Sequence, residues 1–152
     1  AILPGARFAT LWRLEHGVLV DNGPHAFDLL DAAFGPLRAV TAQGDPSRWI
    51  SLIGEHENGA LVSVSLSLTV DIEGFDFTIT AYGRDGAASM SKHFDHDPHA
   101  EPARTIRREF AEAVASGRPH RLDVNRGLYL QRWIAAAERS LEAGGVPTTV
   151  SP

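Results

Sequence analysis

Residues 60–72 read ALVSVSLSLTVDI, and their alternation decides the fold. The large apolar residues are Val62, Val64, Leu66, Leu68, Val70 and Ile72, and they alternate with Leu61, Ser63, Ser65, Ser67, Thr69 and Asp71. Successive side chains of a strand point to opposite faces, so this period of two predicts a strand with one buried face. The opposite face is small and hydroxylated rather than charged.

Further strand-like segments lie on both sides of this one, and residues typical of turns separate several of the adjacent segments. The pairs Asn58-Gly59, Glu73-Gly74 and Asp85-Gly86 are typical of hairpins. The predicted strands are residues 37–43, 49–57, 60–72, 75–82 and 87–94, with a first extended segment at 6–14 and a final edge strand at 147–150.

Helical signals precede and follow the strands. Asn22 or Gly23 can cap a helix in which Pro24 takes the first position, and Gly35-Pro36 ends it. Two closing helices are predicted, the second capped by Asp123 and ended by Gly144-Gly145. Their apolar stripes are Ile106, Phe110 and Val114, then Leu130, Trp133, Ile134, Ala137 and Leu141. Ile106, Phe110 and Trp133 are interpreted as packing residues because of this helical spacing.

These elements predict an α+β fold: an open, mostly antiparallel β-sheet with helices packed on one face, and the other face available for oligomerisation. We expect residues 1–152 to form a single domain. Because the chain begins Ala-Ile-Leu-Pro without an initiator methionine, we also expect it to be part of something longer, of cytoplasmic origin.

Composition narrows the possible functions. Hydrophobic residues make up 43% of the 152 residues, and the net charge of -5 comes from interspersed acids and bases. No basic stripe favours nucleic acid, and no apolar run approaches the roughly 18 residues that span a bilayer. Cysteine is absent, which excludes disulfides, thiolate metal sites and cysteine nucleophiles. No Gly-x-Ser-x-Gly occurs, so a hydrolase has little support.

The segment GVLVDNGPHAFD at residues 17–28 holds the strongest candidates for chemistry. Asp21 precedes the predicted helix and His25 lies in its first turn, where backbone N–H groups and the helix dipole favour negative charge. A base that deprotonates a hydroxyl needs a pKa near the working pH, and the ordinary pKa of histidine, about 6.5, is the closest. Asp21 can orient that imidazole. The pattern equally fits a capping acid followed by an ordinary histidine.

Other residues near this segment are weaker candidates. Asp28, one turn beyond the histidine, is either a hydrogen-bond acceptor behind the imidazole or an exposed helix acid. Asn22 is a candidate for contact with a polar substrate, as are Arg7, Trp12 and Arg13 on the first extended segment. A tryptophan on an alternating strand is, however, more often a core residue.

A second polar cluster contains His93, His96 and His99 with Asp95 and Asp97 between them. Such nitrogen and oxygen ligands can bind a divalent metal. The proline after Asp97 and the lack of periodicity favour a solvated loop instead. We therefore assign no metal site.

The pattern Gly-x-Leu-x-Asp-x-Gly-x-His-Ala-x-Asp-Leu-Leu at residues 17–30, followed by a glycine and a strand, carries a family resemblance. It resembles the start of the C-terminal domain of the glucose-fructose oxidoreductase / inositol dehydrogenase / MocA (Gfo/Idh/MocA) family. Residues 110–117 and 128–143 look like the closing helix pair of that domain, so the resemblance covers essentially the whole chain. Asn22 and Pro24 depart from it, since these positions are often apolar in relatives.

The resemblance implies that Asp21 and His25 bind the hydroxyls of a sugar or polyol, with His25 as the base while hydride passes to NAD or NADP. It also implies an N-terminal Rossmann domain and homo-oligomers formed through the open sheet face. This chain contains no Gly-x-Gly-x-x-Gly, and Lys92 lacks the family's Glu-Lys-Pro context. We therefore expect no cofactor binding by the chain alone. The alternative is a non-catalytic module that uses the same fold for a small polar ligand or for oligomerisation.

Overall fold

The computed structural model describes residues 9–70, 76–92 and 100–150. The chain divides into two compact units, one of Ala1–Val70 with Leu122–Pro152 and one of Asp71–Arg121. In chain order the described elements are α1 (Leu11–Asp21), α2 (Gly23–Phe34), β1 (Leu37–Asp45), β2 (Trp49–His56), β3 (Leu61–Ser67), β4 (Phe77–Gly83), β5 (Gly86–Lys92), α3 (Ala100–Ser116), α4 (Val124–Glu142) and β6 (Thr148–Thr149).

The first unit is built on an antiparallel sheet in the order β3-β2-β1-β6. Its register places Ala42 opposite Leu52 and Leu52 opposite Val64. The two faces of β2 differ sharply, because Ile50 is 0% exposed whereas Ile53 is 60% exposed. One face of this sheet is therefore covered and the other is open.

Helices α1, α2 and α4 supply the covering layer. The buried apolar residues of this unit are Val18, Leu19, Ala26, Phe27, Leu30, Leu37, Val40, Ala42, Ile50, Leu52, Trp133, Ile134, Ala136 and Ala137. Ser140 joins α4 to β1, since its hydroxyl accepts from the Ala42 N–H at 2.9 Å and donates to the Val146 carbonyl at 2.6 Å. The predicted α+β class, with helices on one face of an open antiparallel sheet, is confirmed.

The second unit contains the β4–β5 hairpin and α3. One open sheet was expected from the sequence, but the strands of the described residues pair in two separate sheets. The helix α3 is present as predicted, yet Ile106, Phe110 and Val114 are 66%, 70% and 67% exposed. The interpretation of Ile106 and Phe110 as packing residues is therefore wrong, because periodicity reveals a shared helix face but not what covers it. Trp133, at 2% exposure, is a core residue as predicted.

The predicted extended segment at 6–14 is also wrong within the described residues. Residues 11–14 belong to α1, which Thr10 caps by accepting a hydrogen bond from the Arg13 N–H at 3.3 Å. A capping threonine outweighs the weak alternation that suggested a strand. Among the described helices, none combines the length and apolar composition needed to cross a bilayer.

Candidate functional site

A kink at Gly17 shapes the start of the candidate site. Its φ of 68° and ψ of -171° interrupt α1, and a Cβ at this position would lie 2.1 Å from the Pro46 carbonyl oxygen. That oxygen accepts a hydrogen bond of 2.8 Å from the Val18 N–H. Only glycine suits the position, because the dihedral angles are rare for residues with a side chain and neighbouring backbone fills the space. Beyond the kink, Val18 and Leu19 are fully buried.

The kink also separates two residues that nevertheless meet. Arg13 Nε donates to Asp21 Oδ2 at 2.9 Å, with the side chains 33% and 18% exposed. Eight residues of straight helix rise about 12 Å, so this contact depends on the break at Gly17. Asp21 is thus held at the end of α1 by a half-buried ion pair.

Asn22 connects α1 directly to α2. Its N–H donates to the Val18 carbonyl at 2.9 Å, and its own carbonyl accepts from the Ala26 N–H at 3.2 Å. The Asn22 side chain makes no capping hydrogen bond. His25 lies in the next turn with an exposed side chain, and among the described residues it makes no hydrogen bond or ion pair. Asp21, Asn22 and His25 therefore lie on adjacent turns at one helix junction.

The carboxylate of Asp28 contacts α4. Arg126 Nε donates to Asp28 Oδ1 at 2.7 Å, and Nη1 of the same guanidinium pairs with Asp31 Oδ2. The Tyr129 hydroxyl donates to Asp31 Oδ1 at 2.8 Å and accepts from the Leu37 N–H at 3.1 Å. The expected role of Asp28 behind the imidazole stays a prediction; the contact that the structure assigns to it is Arg126.

Electrostatics favour the charged form of Arg126. Burial alone would lower the pKa of Arg126, but its hydrogen bonds to Asp31 and Asp28 outweigh burial and raise the pKa above its ordinary value. Burial raises the pKa of the Tyr129 phenol, and the Asp31 carboxylate beside it acts in the same direction. Arg126 is therefore a permanent cation here, and Tyr129 stays a neutral donor.

The remaining candidates are two residues of α1 and several residues outside the described part of the chain. Trp12 is on α1 rather than on a strand, is 47% exposed, and stacks on His16 with ring centroids 5.0 Å apart. Arg13 is likewise on α1 rather than on a strand. Arg7 lies outside the described residues, as do His93, His96 and His99. Within the part of the chain that the structure describes, no group of three or more acidic or histidine side chains can hold a metal ion.

Sequence reasoning missed Arg126, Asp31 and Tyr129. A signal for Arg126 existed, because an arginine in the first turn of a helix opposes the helix dipole and needs acidic partners. Asp28 and Asp31, spaced three residues apart on α2, are such acids. Arg126 is 98 residues from Asp28 and 95 residues from Asp31 in the sequence, and local patterns do not reveal contacts over such separations.

The described residues do not fit a dinucleotide site of the Rossmann type. The chain contains no Gly-x-Gly-x-x-Gly, and every strand pair in the described residues is antiparallel. A dinucleotide site of the Rossmann type requires a glycine-rich turn between a parallel strand and a helix.

Three crystal structures share this fold. GenD2 from gentamicin A biosynthesis, in complex with NAD, aligns with a TM-score of 0.74 and 21% identity over 91% of this chain and 49% of its own. The WlbA dehydrogenase from Bordetella pertussis, in complex with NADH and UDP-GlcNAcA, aligns with a TM-score of 0.70 and 18% identity over 90% of this chain and 46% of its own. An oxidoreductase from Thermotoga maritima aligns with a TM-score of 0.67 and 21% identity over 87% of this chain and 44% of its own. The chain thus spans slightly less than half the length of each protein.

Comparison with curated protein sequences gives no significant match. The model of the family described as GFO/IDH/MocA C-terminal domain matches residues 4–89, which include the helix junction and the first three strands. Because this match covers more than half of the 152 residues, the chain belongs to the GFO/IDH/MocA C-terminal domain family.

Proposed function

We propose that this chain is the substrate-binding half of an NAD(P)-dependent oxidoreductase that acts on the CH–OH group of a sugar, a polyol or a related hydroxy compound. The observation that carries the proposal is the junction of α1 and α2, which brings Asp21 and His25 onto adjacent turns within the part of the chain that the family model matches. Asp21 is held in place by Arg13, while the exposed His25 ring can meet a ligand.

The chemistry of this chain in such a reaction concerns the substrate's hydroxyl proton. A neutral imidazole at His25 accepts that proton, and the O–H electron pair becomes part of the new carbonyl bond. Asp21 accepts a hydrogen bond from a neighbouring hydroxyl, and Asn22 at the same junction offers a polar contact. A domain outside this chain supplies the hydride acceptor.

The structural neighbours support the substrate class and the cofactor. WlbA was crystallised with a nucleotide sugar acid and NADH, and GenD2 with NAD. This chain covers under half of each neighbour, which leaves room in the whole protein for a nucleotide-binding domain. The choice between NAD and NADP depends on that domain.

The test is His25→Asn in the protein joined to its nucleotide-binding half, assayed by nicotinamide absorbance with a panel of sugar acids, nucleotide sugars and polyols. We expect turnover to fall by about 10²–10⁴, because a positioned base contributes that much. Cofactor affinity and melting temperature should stay at wild-type values. Leu29→Ala, on the exposed side of the same helix, is the matched control and should retain turnover. Turnover of His25→Asn within about threefold of wild type, under 1 kcal/mol in the barrier, would exclude the assignment.

We also propose that the open sheet face of the first unit associates with a second copy of the chain. This face presents Trp49, Ile53 and Leu61 at 50%, 60% and 74% exposure, with Ser65 between them. Small hydroxylated residues permit close approach, and large apolar residues supply the driving force. A symmetric dimer should bury at least about 1,000 Å².

Light scattering tests the dimer. Ile53→Arg and Ser65→Arg each place a charge in the centre of the open face and should convert the dimer to a monomer. Leu29→Arg, on α2 and therefore on the helix side of the sheet, should leave the mass of the dimer unchanged. A monomeric wild-type chain, or an Ile53→Arg variant that keeps the wild-type mass, would remove the proposal.

A further inference from the structure

We propose that Arg126 is a positioning residue for the helix turn that carries His25. Its guanidinium contacts α2 at four points: Nε donates to Asp28 Oδ1 at 2.7 Å, Nη2 lies 2.6 Å from the same oxygen and 3.3 Å from the Asp28 carbonyl, and Nη1 pairs with Asp31 Oδ2. One planar group from α4 therefore binds two acids one turn apart on α2.

This arrangement fixes the rotation of α2 about its own axis. Asp28 and Asp31 lie on one helix face, and a rigid guanidinium can bind both only when that face is turned toward α4. Arg126 is 21% exposed and Asp31 is 15% exposed, so solvent and salt screen the contact less than a surface pair. The Tyr129 hydroxyl binds Asp31 and the Leu37 N–H, which ties the same acid to the start of β1.

The first turn of α2 needs such a restraint. Its N-cap, Asn22, makes no side-chain hydrogen bond, and the first turn contains no acidic residue. Apart from the contacts with Arg126, the Tyr129–Asp31 hydrogen bond and one from the Asn58 side chain to the Phe34 carbonyl at the far end of the helix, α2 is held by non-directional apolar contacts through Ala26, Phe27 and Leu30. Side-chain tips lie about 5–6 Å from a helix axis, so a rotation of about 10° moves them by roughly 1 Å. A misplacement of that size can lower a rate by about 10²-fold.

The inference rests on the proposed function only for the role of His25 in the reaction. The restraint of α2 by Arg126 can be tested without any substrate. Hydrogen–deuterium exchange and NMR order parameters of the His25 ring would be measured on the 152-residue chain and on Arg126→Met. We expect exchange in the first two turns of α2 to rise at least tenfold and the His25 order parameter to fall, while amides of β2 keep their protection. Arg126→Lys should be intermediate, because one ammonium cannot bind both acids in the same geometry.

The matched control is Arg38→Met, which removes the ion pair of Arg38 with Glu55 in the same unit without touching α2. It should leave exchange in α2 unchanged. If Arg126→Met fails to fold, Asp31→Asn weakens the same contact with an isosteric side chain and is measured in the same way. Unchanged exchange and unchanged His25 order, or an equal loss of protection throughout the unit, would overturn the inference.

Kinetics of the protein joined to its nucleotide-binding half give a second readout. We expect Arg126→Met to lower kcat at least tenfold with an unchanged KM for the cofactor, and Arg126→Lys to recover part of that loss. If His25→Asn loses turnover as expected, an unchanged kcat in Arg126→Met would also overturn the inference. Should His25→Asn retain turnover while Arg126→Met loosens α2, the assignment of His25 as the base fails, but the restraint of α2 by Arg126 stands.

Discussion

Gly17→Ala is the substitution with the largest effect that the structure predicts near the candidate site. The new Cβ would lie 2.1 Å from the Pro46 oxygen, 2.7 Å from the Pro46 carbonyl carbon and 2.8 Å from Ser47 Cα. All three neighbours are backbone atoms, so no flexible side chain can move aside. The backbone of α1 or of the Pro46 loop must shift.

The cost has three parts. Backbone dihedrals that only glycine adopts readily cost about 1–3 kcal/mol with a side chain present. Overpacking adds about 1–3 kcal/mol. Separation of the Val18 N–H from the Pro46 oxygen, now 2.8 Å apart, leaves a donor in a residue that is 0% exposed. An unsatisfied buried donor costs about 1–3 kcal/mol. Because partial relaxation relieves some of these costs, we expect a loss of about 3–6 kcal/mol, a large fraction of the roughly 5–15 kcal/mol that stabilises a typical domain.

Urea unfolding followed by circular dichroism measures the loss in the free energy of unfolding. Gly127→Ala is the control, because this substitution should raise the free energy of unfolding. Gly127 lies in α4 without a positive φ, and a Cβ added there would meet no atom within 4 Å beyond its own stretch of helix. Alanine there should stabilise the chain by about 0.5–1 kcal/mol through helix propensity. A Gly17→Ala variant within about 1 kcal/mol of wild type would show that the kink tolerates a side chain, contrary to the structure.

Burial and capping lead to three further predictions. Ile50→Ala should cost about 2–5 kcal/mol, whereas Ile53→Ala on the open face of the same strand should cost under about 1 kcal/mol; equal losses in urea unfolding would contradict the assigned faces. Ser140→Ala removes the hydroxyl that joins α4 to β1 and to Val146, and a loss of about 1–3 kcal/mol is expected in the same assay. Hydrogen bonds from the Arg126 backbone N–H and the Asn125 side chain lower the pKa of Asp123, so its charged cap stabilises the chain fully above the ordinary value of 3.8 and loses this effect as the pH falls through the lowered pKa. Asp123→Ala should therefore lower the melting temperature at neutral pH, and a difference that persists undiminished at a pH of about 2 would refute the capping role.

Local patterns predicted much of the secondary structure and one part of the site. The start of α2 near Asn22 and Pro24, its end at Gly35 and the cap of α4 by Asp123 were all predicted from short-range signals. Such signals succeed because caps and turns depend on residues within one turn of each other. They also placed Asp21 and His25 on either side of a helix start, where a base and an orienting acid can lie together.

Where local signals compete, the prediction fails. Residues 6–14 alternate weakly and suggested a strand, but Thr10 begins a helix that includes Trp12 and Arg13. The stripe of Ile106 and Phe110 shares one helix face, yet that face is exposed. Period and spacing determine which residues lie on the same side of an element, but not which element they meet.

By itself, the sequence determined the α+β class, a strand with one covered and one open face, which the structure has at Leu61–Ser67, and the helix start that follows Asp21, because each depends on neighbours a few residues apart. Only the tertiary structure decided that Arg13 reaches Asp21 across the kink at Gly17, and that Arg126 binds Asp28 from 98 residues away. The physical reason is that an ion pair is chosen by the direction and distance of side chains after the helices pack. The acids on α2 have several arginines available in the sequence, and packing of α4 beside α2 selects one of them.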